Sequence, residues 1–167
     1  MMNPYATIGL LAGVVLLQTT LVPHLSMGGV KPDLMLMVVV SWSLLRGAKA
    51  GIAWGAAGGL VLDLLSGGPF GIFTLTLILV GFLTGVGEIH IVRANVLLPA
   101  MTILFATLIY TLLPLLMLQI LGWPIPWEIH VVGILLPALL WNVVLMPFVY
   151  ASLRWLHRAT GREEMGW

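Results

Sequence analysis

Apolar stretches separated by short polar or Gly/Pro-rich breaks run the length of the chain. A bilayer core is about 30 Å thick and takes about 20 apolar residues as a helix, so each stretch reads as a membrane span. The pattern predicts six, over residues roughly 5–22, 32–45, 50–65, 70–87, 96–121 and 129–153. The first stops at Pro23, and Pro32 suits the first turn of the second. The second and third are short for complete crossings, which calls for local thinning or extension by flanking residues. SGGPFG forms the turn before the fourth, Pro114 predicts a kink in the fifth, and Pro137 and Pro147 fall in the sixth. The fold expected is an all-α membrane protein, one polytopic domain with both termini on the same side.

Charge orients it. One side receives Arg46, Lys49, Arg93, Arg154, Arg158 and Arg162; the other receives Lys31, completing the seven Lys and Arg. The positive-inside rule places both termini in the cytoplasm. Trp123 and Trp127 then fit an outer aromatic belt and Trp155 an inner one.

Composition narrows the class. The 167 residues are 60% hydrophobic and 8% charged, with mean hydropathy +1.12. Soluble domains carry roughly 25% charged residues, so this chain reads as an integral membrane protein. It lacks the basic footprint of a nucleic-acid binder. It has no cysteine, which excludes disulfides, thiolate metal sites and S-acylation. MMNPYATIGL has no basic n-region, so the first span reads as retained, not as a cleaved signal peptide.

A four-residue stripe runs Gly47, Gly51, Gly55, Gly59, Asp63, Gly67, with Gly58 widening its smooth face. Residues four apart share a helix face, and small residues let another helix approach closely. Two uses are open: packing inside the bundle, with Gly81 and Gly85 or Gly9 and Gly13 as partners, or docking of another protein's membrane helix. Asp63 ends the stripe at membrane depth and suits a brace to the following turn, or contact with a partner. Asp33 suits a cap on the second span. Asp33 and Asp63 fall on the same side and could line one external pocket.

Gln18, Gln119 and Asn142 are polar groups in or near spans and suit interhelical hydrogen bonds. Glu88-Ile89-His90 and Glu128-Ile129-His130 resemble a repeated metal motif, but the topology puts them on opposite sides, and neither supplies enough ligands alone. Arg154, Arg158 and Arg162 repeat every four residues, as for a headgroup-facing or protein-contacting cytoplasmic surface. No nucleophile-elbow, nucleotide-binding or intramembrane-protease motif occurs; the chain reads as non-enzymatic, without metal or cofactor.

The block Lys31–Gly85 resembles the bacterial rod shape-determining protein MreD family. The likeness rests on Pro32-Asp33-Leu34, Arg46-Gly47, the glycine-rich span with Asp63-Leu64-Leu65, Gly68-Pro69-Phe70-Gly71 and Gly81. It implies a multi-pass inner-membrane scaffold of the cell-elongation machinery that binds MreC and supports peptidoglycan synthesis. Further partners would be MreB, RodA and a class B penicillin-binding protein. The family is also similar to the six-helix substrate-binding components of energy-coupling-factor vitamin transporters. A vitamin-binding component is therefore the alternative function, although external polar residues are few.

Overall fold

The computed structural model describes residues 32–87 and 97–160, together with residues 9, 13, 14, 16–18 and 20. Expectations for Lys31, Glu88, His90, Arg93 and Arg162 lie outside these residues. Every regular element described is helical. In chain order they are α1 (Leu34–Arg46), α2 (Ala48–Ser66), α3 (Ile72–Gly87), α4 (Leu97–Ile120), α5 (Trp127–His130), a π-helical turn (Val131–Leu135) and α6 (Leu136–Thr160). Residues 13, 14, 16–18 and 20 are also helical and fall within the first predicted span.

The core is built around α1. Its residues Met35 to Leu44 are all buried, and it packs against α2, α3, α4 and α6. A helix apolar on every side has no face suited to water and belongs inside a bundle. Its 13 residues rise only about 20 Å, less than a hydrocarbon core. Enclosure by neighbouring helices explains how so short a helix is accommodated, because backbone ends at membrane depth are tolerated when protein surrounds them. Pro32 lies before this helix, not in its first turn, and Asp33 is the N-cap. Among the described residues, three helical stretches are long and apolar enough to cross a membrane: Ala48–Ser66, Pro99–Ile120 and Trp127–Arg158. Leu34–Arg46 and Ile72–Gly87 are shorter apolar helices.

Two glycines set the turns around α2. Gly47 has φ 82° and separates α1 from α2 by a single residue, while its N–H still donates to the Ser43 carbonyl at 2.8 Å. Gly67, φ 65°, ends α2 in the left-handed conformation that a side chain resists. These members of the stripe are therefore turn residues and not part of a helical groove. Farther on, Pro137 removes the N–H that would serve the Gly133 carbonyl. The preceding helix widens into the π-helical turn Val131–Leu135, one of the ways a chain re-satisfies such a carbonyl.

Candidate functional site

Helices α2 and α3 meet backbone against backbone. A Cβ at Gly51 would lie under 3.0 Å from the Gly81 carbonyl and from Ser43 Oγ. One at Gly55 would strike the Leu77 carbonyl, and one at Gly59 the Thr74 backbone. The relation is mutual: a Cβ at Gly81 would strike Gly51, and one at Gly85 would strike Ala48. Gly58 faces elsewhere, with the Met35 side chain of α1 in its space. Ser43 Oγ donates to the Gly81 carbonyl and ties α1 to the same junction. This arrangement is the internal packing that was one of the two uses open for the stripe, with Gly81 and Gly85 as its partners. Helix α3 occupies that face, backbone against backbone, so an incoming helix would have to part α2 from α3. Among the described residues, a Cβ at Gly9 or Gly13 would meet nothing within 4 Å, so neither glycine is packed against the stripe.

The end of this hairpin nearest the connecting turn is closed by Asp63, 3% exposed. Its Oδ1 accepts the Phe73 N–H at 2.9 Å, and its Oδ2 accepts the Thr74 N–H at 3.0 Å and the Thr74 hydroxyl. The carboxylate thus satisfies first-turn N–H groups of α3, which have no acceptor within their own helix. These donors lie just beyond the SGGPFG turn, so the brace reaches past the loop to the helix itself. Favourable interaction with the helix N-terminus offsets part of the cost of a buried charge.

A second polar cluster joins four parts of the chain near the start of α1. Asp33 Oδ1 accepts from the Leu36 N–H at 3.2 Å and from Gln18 Nε2 at 3.4 Å. The Met35 N–H donates to Gln18 Oε1 at 3.1 Å, so Gln18 completes the capping of α1. Asn142, 2% exposed on α6, accepts the Asp33 N–H and donates to Thr107 on α4, both at 3.1 Å. Tyr110 is hydrogen-bonded to Asp33, and its ring lies 6.1 Å from that of Phe73, whose N–H donates to Asp63. The two aspartates are therefore at one end of the bundle, but each is turned onto its own helix N-terminus. Gln119, by contrast, accepts from Trp127 Nε1 at 3.1 Å across the α4–α5 connection. His130 Nδ1 lies 2.9 Å from the Pro126 carbonyl oxygen.

The opposite end is cationic and aromatic. Trp42 stacks on Trp54 with centroids 5.5 Å apart and meets His157 edge-on at 6.0 Å. Arg46 lies 5.1 Å over the Trp42 ring and donates from Nε to His157 Nδ1 at 3.2 Å. An accepting Nδ1 means a neutral ring protonated on Nε2. Trp42 and Arg46 are four apart, so their shared face is readable in sequence; the arrival of His157 from α6 is not. The indole N–H of Trp42 is buried and has no acceptor among the described residues. Arg154 and Arg158 are exposed at this same end. Among the described residues, Arg46, Lys49, Arg154 and Arg158 gather here, while Asp33, Asp63 and Glu128 belong to the other end.

Side chains on the outer faces are apolar. Helix α2 makes its main contacts with α1 and α3. Its remaining face, with Ile52, Ala53, Leu60 and Leu64, is exposed. Ala56 and Ala57, half-buried, continue that face. No group of three or more metal-ligating side chains occurs among the described residues. No curated protein and no solved structure matches the chain significantly. The family model for rod shape-determining protein MreD matches residues 3–159. That match spans the paired glycines, both capped aspartates and the Arg46–His157 contact, and the chain belongs to the MreD family of rod shape-determining proteins.

Proposed function

We propose that the protein is a non-enzymatic inner-membrane scaffold of the cell-elongation machinery that holds the membrane helix of MreC and thereby supports peptidoglycan synthesis. Membership of a rod shape-determining family supports the biological setting. The observation that carries the binding mode is the two-sided use of α2. Its glycine side is filled by α3, whereas Ala53, Ala56, Ala57, Leu60 and Leu64 form a smooth outer face. These positions fall at helical spacing on one side, and small residues there let a second helix approach closely. The charge separation between the two ends fits a six-span chain with its cationic end and both termini in the cytoplasm. In this reading α1 and its polar ties keep the scaffold rigid, and the outer face of α2 sets the partner's position.

The test is recovery of MreC with the affinity-tagged protein from native membranes. Ala53→Trp and Leu60→Trp on the outer face should each lower recovery several-fold with an unchanged melting profile. Full recovery with both variants contradicts this docking face.

A further inference from the structure

Helix α6 carries basic residues that the proposed role of α2 leaves unused. Its buried side chains Ala138, Asn142, Met146 and Leu153 share one face, turned toward the bundle. At about 100° per residue, Leu140, Val144, Phe148, Trp155 and Arg158 fall within about 80° of one another on the opposite face, with Arg154 beside them. All six are exposed, Phe148 to 70% and Trp155 to 71%. His157 stands between Trp155 and Arg158 in sequence but turns inward, onto Arg46 and Trp42. The main contacts of α6 are with α1 and α4, so this face lies apart from the proposed docking face of α2.

The chemistry along this face changes once, from apolar to cationic, with Trp155 at the change. That order is the order of a bilayer leaflet from acyl chain to headgroup, and tryptophan favours the boundary between them. A face that docks a helix needs small residues. Among the exposed residues of α6 only Ala151 and Ser152 are small, and the Ser152 hydroxyl already donates to the Phe148 carbonyl at 2.8 Å. Helix α6 contains no carboxylate to pair with its arginines. Arg154 and Arg158 are one turn apart, about 6 Å along the axis, so both guanidinium groups can reach one phosphate. We infer that Arg154 and Arg158 hold the phosphate of an anionic phospholipid in the leaflet at the cationic end, with Trp155 at its glycerol level and its acyl chains along Phe148 and Val144.

The full-length protein in mild detergent would be loaded with phosphatidylglycerol or with phosphatidylcholine of identical acyl chains, and retained lipid read by native mass spectrometry. The parent protein should retain phosphatidylglycerol better. One basic residue near a membrane surface is worth about fivefold. Arg154→Gln and Arg158→Gln should therefore each lower phosphatidylglycerol retention by about that factor, and the double variant should lose most of the preference. All three should melt like the parent protein, because both side chains lie outside the core. Lys49→Gln removes an exposed cation from the same end but from another helix, and should leave retention unchanged. Equal losses from Lys49→Gln and Arg158→Gln would mean a diffuse basic end and overturn the inference. Absence of a headgroup preference in the parent protein would overturn it too, the outcome expected if Glu163 and Glu164 neutralise the arginines. Unchanged phosphatidylglycerol retention with loss of MreC from the double variant would assign the face to a protein partner instead. A phosphatidylglycerol carrying a photoactivatable acyl chain gives a reading that needs no variant. Labelling concentrated around Val144 and Phe148 supports the site, whereas equal labelling around Leu60 on α2 overturns it.

Discussion

Asp63 shows how much one ionisable side chain can hold in a membrane protein. A carboxylate with both oxygens committed to the start of α3 fixes the end of α2 against the next helix. Asp63→Ala leaves the Phe73 and Thr74 N–H groups and the Thr74 hydroxyl without this acceptor, and loss of such a cap costs about 0.5–2 kcal/mol. Asp63→Asn keeps one accepting oxygen and should cost less. Thr74→Val removes only the hydroxyl donor. Its effect should largely vanish in the Asp63→Ala background, since the two groups share one bond. Thermal melting of the four proteins in detergent checks this, and strictly additive losses would contradict the direct bond. Asp63 and Asp33 could be recognised from sequence as helix-end carboxylates. The partners of Asp33 could not: Gln18 and Asn142 come from distant segments, and nothing local to Asp33 indicates either.

At the scale of elements, the sequence shows which helix has a smooth face but not what lies on it. The four-residue spacing places Gly51, Gly55 and Gly59 together, and Gly81 and Gly85 share a second face. Either could have met a foreign helix, because small-residue packing is the same within a chain and between chains. The structure joins the two faces to each other. Helix positions were legible because apolar runs and Gly/Pro breaks are strong local signals. The π-helical turn was not, although Pro137 was available as its signal. The paired faces imply that Gly55→Leu and Gly81→Leu damage the fold itself. Inserting a leucine where backbone atoms already touch forces α2 from α3, and overpacking of this kind costs about 1–3 kcal/mol or more. Both variants should melt markedly lower than the parent protein or fail to stay monodisperse by size-exclusion chromatography. Parent-like melting of both would contradict the packing described.

Among the described residues, acidic groups lie at one end of the bundle and basic groups at the other, around a buried central helix. That pattern gives the proposed orientation a direct check, because the chain has no native cysteine to confuse labelling. Cysteine placed at Ser66 should react with a membrane-impermeant thiol reagent on intact cells. Cysteine at Lys49 should react only after the membrane is opened. The reverse pattern would invert the protein in the membrane. The proposed role then depends on the division of labour across α2, one face for the fold and one for the partner. The most direct measurement is parallel MreC co-purification and thermal melting for Ala53→Trp, Leu60→Trp and Gly55→Leu. The account predicts that both tryptophan variants melt like the parent protein yet lose MreC, whereas Gly55→Leu loses stability first. Retention of MreC by both tryptophan variants, or loss of MreC by a Gly55→Leu protein that melts normally, would contradict it.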